Sequence, residues 1–385
     1  MYCLSNFIRI FAAEMTKTLH IFNPEHDIAL ASNLANFTAP HAGRRLRADL
    51  GWLPAIWAKE GDAVLVDNVD CLRKVWARLR HRVGRGDVHF VDKASLSKLD
   101  IDTVEPWGWD LALRAFLLRQ GVNVVPSEDT IAEIRRLSHR QTAAGLLQVL
   151  REIDGTIGEA HFVTSLDEVI ALMAEFGQVV VKAPWSSSGR GVRFLNAMAD
   201  ESQRRWLQNI ISVQGGIMVE PYYKKVKDFG MEFVATADGI YYQGLSLFHT
   251  KNGAYTGNIL ASEQTKRDLM SRYISVGLLD TVCNRITSTL DLGDYQGPFG
   301  IDMMIVGGRL HPCVEINLRR TMGHVALSML PTGTEDIVKV MRIVYDGRSY
   351  KLKINNNETN SYYTDGLCGA YGSRSGLQIR SVVAR

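Results

Sequence analysis

Short apolar segments alternate with amphipathic stretches along the first third of the chain. Leu19–Phe22, Ala63–Val66 and Val122–Val125 are runs of strand-forming length, each bounded by polar or turn residues. Asp110 precedes a stretch of helical periodicity and can serve as its N-cap. Strands that alternate with helices in this way indicate a parallel sheet with crossover helices. We therefore predict an N-terminal α/β domain over residues 16–125.

The pattern changes at residue 126, where helical stretches come first and short strands follow. Ser165 and Glu168 have the spacing of a capping box, and Gly177 marks the end of the helix that they begin. The β-branched run Val179–Lys182 is typical of a strand. Residues 126–220 are therefore predicted to form a first α+β subdomain.

Longer strand-like segments fill residues 221–350, which we predict to form a second α+β subdomain. The segments MEFVAT, IYYQGLSLF, IDMMIV and HPCVEIN are rich in β-branched, aromatic and other apolar residues. Thr334 can cap a later helix with the sequence EDIVKVMRIVY.

The two ends of the chain lack this periodicity. Residues 1–15 are mildly apolar, but Glu14 interrupts them and they do not have the pattern of a signal peptide. We expect them to be disordered or to precede a true start at Met15. Residues 351–385 are rich in Asn, Ser and Gly and are predicted to form a loosely ordered tail.

Composition narrows the class of protein without naming a partner. A chain of 385 residues exceeds what one hydrophobic core usually supports, and 46% apolar with 22% charged residues is ordinary for a soluble protein. The 44 basic and 41 acidic side chains nearly cancel, so we expect neither nucleic acid nor membrane as a partner. The five cysteines are scattered and form no CxxC pair, which predicts neither a disulfide framework nor a zinc site and favours a cytoplasmic location.

The segment IDMMIVGGRLHPCVEIN holds the strongest candidate site, because its two glycines fit a hairpin turn. In that register Asp302 lies opposite Cys313. Asp302, Glu315 and Asn317 then emerge on one face, with the two carboxylates as diagonal neighbours whose Cβ atoms lie about 7 Å apart. Oxygen donors of this kind suit Mg²⁺ or Mn²⁺. A bulge at Pro312 would spoil this geometry, and the alternative is that these side chains merely face solvent.

Arg319 and Arg320 follow these candidate ligands directly. Metal and arginine together are the groups that neutralise a transferring phosphoryl group. The order and spacing of motifs over residues 126–330 resembles the ATP-grasp superfamily. The resemblance implies an N-terminal parallel α/β domain followed by a two-lobed module that grips ATP. It also implies two Mg²⁺ ions on Asp302, Glu315 and Asn317, with Mn²⁺ as the alternative metal.

The resemblance further assigns ATP-binding roles to several residues between Arg140 and Asp228. Lys182 would be the phosphate-contacting lysine at a strand end, and Asp228 would bind the ribose. Arg140 stands where the superfamily usually has a lysine, which keeps the charge and changes the donor geometry. The remaining assignments are the hinge that meets adenine, at Glu220 and Tyr222, and the phosphate lid, at Ser186, Ser187, Ser188, Gly189 and Gly191.

Two weaker candidates lie outside these motifs. Lys251, in a polar loop, is placed to reach the γ-phosphate or the acceptor, although a plain surface loop explains it equally well. Asn23–Asp27 and His41 follow the first strand, at the sheet edge where α/β folds bind ligands. They could bind the substrate carboxylate, and an ordinary turn explains any one of them at least as well.

These observations predict an ATP- and Mg²⁺-dependent ligase that activates a carboxylate as an acyl-phosphate for attack by an amine or thiol. Arg319, Arg320 and Lys251 are its candidate catalytic residues. The alternatives are an ATP-grasp kinase for a small molecule and a nucleotide-binding protein without activity. Small-molecule substrates are the expected partners, and a homodimer is left open. The P-loop and dinucleotide-binding motifs are absent from the sequence.

Overall fold

Three β-sheets follow one another along the chain, and the first is parallel while the other two are antiparallel. The computed structural model describes residues 17–81, 84–186, 191–196, 200–251, 254–329 and 338–356. The predicted fold class, an α/β domain followed by α+β subdomains, is confirmed. The prediction for residues 1–15 lies outside the described residues.

The N-terminal domain is a four-stranded parallel sheet with the strand order β3-β2-β1-β4. Because β2 and β4 lie on opposite sides of β1, a crevice opens at the carboxyl ends of β1 and β4. Asp110 caps α4 as predicted, accepting a hydrogen bond from the Leu113 N–H at 2.9 Å. The domain consists of the strands β1 (Thr18–Ile21), β2 (Ala63–Leu65), β3 (His89–Val91) and β4 (Thr103–Pro106), and of the helices α1 (His26–Ser32), α2 (His41–Leu50), α3 (Val69–Leu79) and α4 (Leu111–Arg119).

The prediction of a strand at Val122–Val125 is wrong. This segment has no strand pairing, and its apolar character has a different cause. Val122 packs into the same core as Leu113 and Leu117 of α4. Burial therefore accounts for the apolar run without a sheet partner.

A smaller antiparallel sheet follows, with the strand order β5-β8-β6-β7 and a core that it shares with α7 and α8. The predicted capping box of Ser165 and Glu168 begins α7. We call this unit the small lobe. Its elements, with two helices that precede it, are α5 (Glu128–Leu137), α6 (Arg140–Leu150), β5 (His161–Val163), α7 (Leu166–Phe176), β6 (Val179–Lys182), β7 (Val192–Leu195), α8 (Glu201–Gln214) and β8 (Ile217–Pro221).

The third sheet has seven antiparallel strands in the order β13-β12-β9-β10-β11-β14-β15. One face packs on α5, α6 and α10 around Phe229, Phe233 and Phe299. The other face lies under α11 and the N-terminal domain. The elements of this large lobe are β9 (Lys227–Thr236), β10 (Gly239–Lys251), β11 (Ala254–Leu260), α9 (Glu263–Met270), α10 (Val276–Thr289), β12 (Gly297–Val306), β13 (Arg309–Asn317), α11 (Met322–Ser328), β14 (Lys339–Tyr345) and β15 (Tyr350–Asn356).

Two predicted boundaries need correction. Helices α5 and α6 were expected in the subdomain 126–220, yet they pack in the core of the large lobe. Residues 351–356, expected to open a loosely ordered tail, belong to β15. The rest of that tail lies outside the described residues.

The prediction of a helix after Thr334 is also wrong for the part of that segment that the structure describes. Lys339–Tyr345 forms β14, which lies between β11 and β15. Pairing with two strands satisfies its backbone and overrides the helical appearance of the sequence.

The cysteines give a mixed outcome. Cys283 and Cys313 are buried free thiols, whereas Cys71 is disulfide-bonded, which the scattered cysteine pattern did not predict. In the part of the chain that the structure describes, no helix combines the length and apolar character needed to cross a membrane.

Candidate active site

The two candidate metal-binding carboxylates face each other across the β12–β13 hairpin. The predicted two-glycine turn is present, with positive φ at Gly307 and Gly308. Beyond the turn the register shifts between Asp302 and Met304, and this bulge pairs Asp302 directly with Glu315. The predicted pairing of Asp302 with Cys313 is therefore wrong. The bulge brings the carboxylates closer than the diagonal arrangement would, instead of separating them.

Asp302 is surrounded by negative charge. Burial, the facing carboxylate of Glu315 and the nearby carboxylate of Glu232 together raise the pKa of Asp302 to about 7. Its hydrogen-bond donor is Asn317, whose Nδ2 lies 3.1 Å from Asp302 Oδ2. A carboxylate in this environment is stabilised by a bound cation.

Arg319 lies beside Asn317 and is held by the N-terminal domain. Its Nε and Nη2 donate to the two oxygens of Asp27, each at 2.8 Å. Burial raises the pKa of Asp27, but the Arg319 charge and hydrogen bonds outweigh it and leave the pKa below its usual value. Arg319 Nη2 also donates to Asn317 Oδ1 at 2.8 Å, so a predicted substrate-binding loop and a predicted catalytic residue meet.

A second arginine, Arg140, comes from the start of α6. Its Nη2 donates to Glu315 Oε1 at 2.6 Å, and its Nη1 donates to Ser186 Oγ at 2.9 Å and to the Ala183 carbonyl oxygen. Its backbone N–H donates to the Pro184 carbonyl oxygen at 3.3 Å. Arg140 therefore links the carboxylate pair to the segment that follows β6 in the small lobe.

Lys182, at the end of β6, forms a buried ion pair with Glu220 of β8. Its Nζ lies 2.6 Å from Glu220 Oε1 and 2.7 Å from Oε2. Two residues assigned to ATP by the motifs are thus in contact with each other. A phosphate group that took the place of one carboxylate oxygen would meet the same ammonium.

The structure places the other predicted residues less centrally. Tyr222 is exposed and contacts Phe194 edge-on, with ring centroids 6.0 Å apart. Asp228 Oδ2 accepts from Lys225 Nζ and from Thr250 Oγ1, each at 2.6 Å. The side chain of Lys251 and all of Ser187, Ser188 and Gly189 lie outside the described structure, which resumes at Gly191.

Arg320 lies away from the carboxylate pair. Its guanidinium is 4.5 Å from the ring centroid of Trp57 and 3.6 Å from Glu105, both in the N-terminal domain. Burial lowers the pKa of Arg320, against the raising effect of Glu105. Of the two predicted arginines, Arg319 is the one whose charge acts on Asp302.

The oxygen atoms of Asp302, Glu315 and Asn317 supply some of the ligands that a hard divalent cation needs. Among the described residues, no three His, Cys, Asp or Glu side chains approach closely enough to hold a metal ion. A metal bound here would rely on Asp302, Glu315 and the amide oxygen of Asn317. Burial first, and then the neighbouring carboxylates, raise the pKa of Asp302, so a cation beside it would stabilise its charged form.

Sequence reasoning missed two buried polar residues of this face. Glu232, in β9, is opposite Gly300 and acts on the pKa of Asp302. His324, in α11, lies 3.0 Å from the Glu232 carboxylate. A glutamate within the otherwise apolar run MEFVA was a signal for the first, and no local pattern distinguished the second.

No protein-family model matches the chain, and no curated protein sequence matches it. The fold is similar to N5-carboxyaminoimidazole synthetase from Staphylococcus aureus complexed with ADP, with a TM-score of 0.47, 13% identity, and coverage of 85% of this chain and 82% of that chain. Biotin carboxylase from Campylobacter jejuni gives a TM-score of 0.46 and 11% identity, with coverage of 85% of this chain and 75% of that chain. D-alanyl-alanine synthetase A from Vibrio cholerae gives a TM-score of 0.43 and 12% identity, with coverage of 83% of this chain and 91% of that chain. At identities of 11–13%, these similarities concern the fold alone.

Proposed function

We propose that this chain is an ATP-grasp ligase that joins a carboxylate to an amine or thiol through an acyl-phosphate. The observation that carries the proposal is the direct pairing of Asp302 with Glu315, with Arg140 bound to Glu315 and Arg319 bound to Asn317. Two acidic oxygen donors beside two fixed guanidinium groups suit the polyphosphate of a nucleotide and its metal. The order of the sequence motifs supports the same conclusion.

ATP would bind between the small lobe and the β12–β13 hairpin. Lys182 and Arg140 would offset phosphate charge, and the Ser186–Gly191 segment would close over the phosphates with its backbone N–H groups. Glu220 and the chain near Tyr222 would contact the adenine. The buried pair of Lys182 with Glu220 holds the ammonium in place before ATP arrives.

Asp302, Glu315 and Asn317 would hold Mg²⁺ here. When bound, Mg²⁺ neutralises charge on the β- and γ-phosphates and polarises them. The substrate carboxylate would lie toward the crevice at the ends of β1 and β4, beside Asp27 and Arg319. Its oxygen attacks the γ-phosphorus, the bond from phosphorus to the ADP oxygen breaks, and Arg319 stabilises the charge on the moving phosphoryl group.

The acyl-phosphate then reacts with the nucleophile. The nucleophile forms a bond to the acyl carbon, and orthophosphate leaves with the electron pair of the broken C–O bond. This scheme requires no covalent intermediate on the protein. The two cysteines that the structure describes as free thiols are buried, and burial raises the pKa of Cys283 to about 11.

A phosphate-release screen tests the proposed function. Purified protein with ATP and Mg²⁺ is mixed with pooled amino acids, short peptides, amines and carboxylic acids. We expect orthophosphate to appear with one particular carboxylate and nucleophile together. A stable phosphorylated metabolite without a second substrate would instead identify a kinase.

Asp302→Asn and Glu315→Gln should each lower ATP turnover by about 100-fold or more, because each removes a charge that opposes Arg140 and Arg319 and that would ligate the metal. Turnover is measured as orthophosphate release with the substrates found in the screen. Asp238→Asn, in the exposed turn between β9 and β10, is the matched control and should keep wild-type turnover. Unchanged turnover in both hairpin variants would contradict the proposed site.

A further inference from the structure

Trp185 lies three residues beyond Lys182, and the proposed function so far gives it no role. Its backbone is held within the small lobe. The Trp185 N–H donates to Gln214 Oε1 at 3.0 Å, and Gln214 Nε2 donates to the Trp185 carbonyl oxygen at 3.4 Å. Because Gln214 is the last residue of α8, these two hydrogen bonds tie the end of that helix to the segment that follows β6.

The indole ring of Trp185 is held by a different part of the chain, residues 135–140, which we call the α5–α6 corner. Its Nε1 donates to the Arg135 carbonyl oxygen at 2.9 Å. The Arg135 guanidinium lies over the ring, with Cζ 3.7 Å from the ring centroid. His139 contacts the same ring at an interplanar angle of 80°, with centroids 4.6 Å apart. One indole therefore makes a hydrogen bond, a cation–π contact and an aromatic contact with this corner.

His139 takes part in this contact as a neutral ring. Burial, and then the charges of Arg135 and Arg140, lower the pKa of His139 to about 4, so the imidazole carries no charge at pH 7. Its Nδ1 accepts a hydrogen bond from the Gln141 N–H at 3.1 Å and caps α6. Its ring also contacts that of Phe162 in β5, with centroids 5.1 Å apart. The imidazole is thus fixed by its own helix before it meets the indole.

The α5–α6 corner belongs to the large lobe and not to the small one. Ile134 and Leu137 of α5 and Ala143 of α6 are buried in the core of the large lobe. The corner also reaches the N-terminal domain, because Arg135 Nε donates to the Leu30 carbonyl oxygen at 2.8 Å. The indole is therefore a point at which the end of β6, in the small lobe, is attached to the rest of the molecule.

Arg140, the last residue of the corner, holds the residues on both sides of Trp185. Its backbone N–H donates to the Pro184 carbonyl oxygen at 3.3 Å, and its Nη1 donates to Ser186 Oγ at 2.9 Å. Its Nη2 donates to Glu315 Oε1 at 2.6 Å. The corner that fixes Trp185 therefore also links this segment to the carboxylate pair of the large lobe.

We infer that Trp185 is a positioning residue for the nucleotide phosphates and acts through Lys182 and Arg140. The inference rests on the proposed function and identifies what fixes the spacing of its two phosphate-binding cations. Lys182 ends a strand of the small lobe, whereas Arg140 begins a helix that packs in the large lobe. Both charges must reach one polyphosphate, and small displacements of positioning groups are costly. A rigid indole bound by both lobes sets that spacing before ATP arrives.

Trp185→Leu tests this inference with two ligands, ATP and adenosine. Leucine has no ring for Arg135 to cover and no N–H to donate. Binding of each ligand is measured by equilibrium dialysis in the presence of Mg²⁺, and thermal unfolding verifies that the variant folds. Adenosine shares the base and the sugar of ATP and has no phosphate, so it reports any general loosening of the nucleotide site. Trp206→Leu is the matched control, because Trp206 packs against the core of the small lobe with Arg193 over its ring at 5.0 Å.

We expect Trp185→Leu to weaken ATP binding by about tenfold and to change adenosine binding by less than about twofold. Trp185→Phe keeps a ring and loses only the indole N–H, so its ATP affinity should stay within about threefold of the wild type. Trp206→Leu should bind both ligands as the wild type does. Equal weakening of ATP and adenosine binding in Trp185→Leu, or unchanged ATP binding, would overturn the inference. A wild type that binds no ATP would overturn the proposed function, and the inference with it.

Arg135→Met decides the question if Trp185→Leu unfolds. It removes the cation from the indole face and leaves Trp185 in place. ATP binding should then weaken by about threefold while adenosine binding is unchanged. An unchanged ratio of the two affinities in that variant would overturn the inference.

Discussion

At the scale of single residues, His311 is an ionisable side chain buried in the core of the large lobe. It is 0% exposed, and neither ring nitrogen has a hydrogen-bond partner within the described residues. Its ring contacts that of Tyr223, with centroids 5.6 Å apart, and lies against Gly158. Burial, and secondarily the charge of Lys182, lower the pKa of His311 to about 3. The native state therefore holds this imidazole neutral.

This histidine should make the protein sensitive to mild acid. The unfolded chain binds a proton to His311 below its ordinary pKa, while the native state does so only near pH 3. The free energy of unfolding should thus fall as pH drops from 6.5 toward 3. Between pH 7 and pH 5 the loss from this one residue is about 2 kcal/mol.

Urea unfolding at pH 7 and pH 5 measures this effect. His311→Leu should lose less stability than the wild type over that interval. His161→Leu, at a partly exposed position in the small lobe, is the control and should behave as the wild type does. Equal pH sensitivity in wild type and His311→Leu would contradict the prediction.

From the sequence, residue type and spacing predicted which side chains lie together, while their roles stay predictions. Asp302, Glu315, Asn317 and Arg319 were all named, and the structure brings them together. Glu232 and His324 were missed because their proximity arises from the packing of α11 on the sheet. Distances between elements of that kind have no local pattern in the sequence.

At the scale of elements, the β12–β13 hairpin separates what sequence can predict from what it cannot. Strand alternation and the two-glycine turn were sufficient to predict the hairpin. The register was not predictable, because one bulge shifts every later pair. The same limit explains β14, whose strand state is determined by two partner strands.

The contact between the hairpin and Glu232 should tolerate no side chain at Gly300. A Cβ there would lie 2.5 Å from Glu232 Oε2 and 2.9 Å from Thr321 Cγ2. We expect Gly300→Ala to lower the free energy of unfolding by about 1–3 kcal/mol. Gly277→Ala is the matched control, since its Cβ would meet no atom within 4 Å and alanine favours a helix by about 0.5–1 kcal/mol.

Chemical denaturation of both variants measures the difference. A loss of stability in Gly300→Ala together with unchanged or raised stability in Gly277→Ala is the expected pattern. If Gly300→Ala were as stable as the wild type, the carboxylate would have to be free to move away from β12.

At the scale of the whole molecule, two adjacent arginines join the large lobe to the N-terminal domain in different ways. Arg319 binds Asp27 and remains next to Asn317, whereas Arg320 packs on Trp57 and faces Glu105. The sequence alone could not distinguish their roles, because the two arginines are adjacent along the chain. Their side chains separate on leaving β13, and only the folded domain arrangement determines which one reaches the carboxylates.

Variants of the two arginines should therefore fail differently. Arg319→Lys loses the forked contact with Asp27 and should lower ATP turnover by about 10²–10³-fold. Arg320→Met keeps the apolar contact with Trp57 and should lower stability by about 1 kcal/mol, with turnover reduced by less than about tenfold. Phosphate release and urea unfolding on both variants measure this. A larger catalytic defect in Arg320→Met than in Arg319→Lys would reverse the assignment.

The final strands of the chain complete the outer core of its first domain. Met341, Leu352 and Ile354 pack with Leu50 and Trp52, and the Tyr350 N–H donates to Asp49 across 301 residues of sequence. During synthesis on a ribosome, the N-terminal domain must wait for these strands before its hydrophobic surface is covered. A long interval of exposed apolar surface gives chaperones a binding site, and it makes premature termination before residue 339 damaging to the first domain as well as to the last.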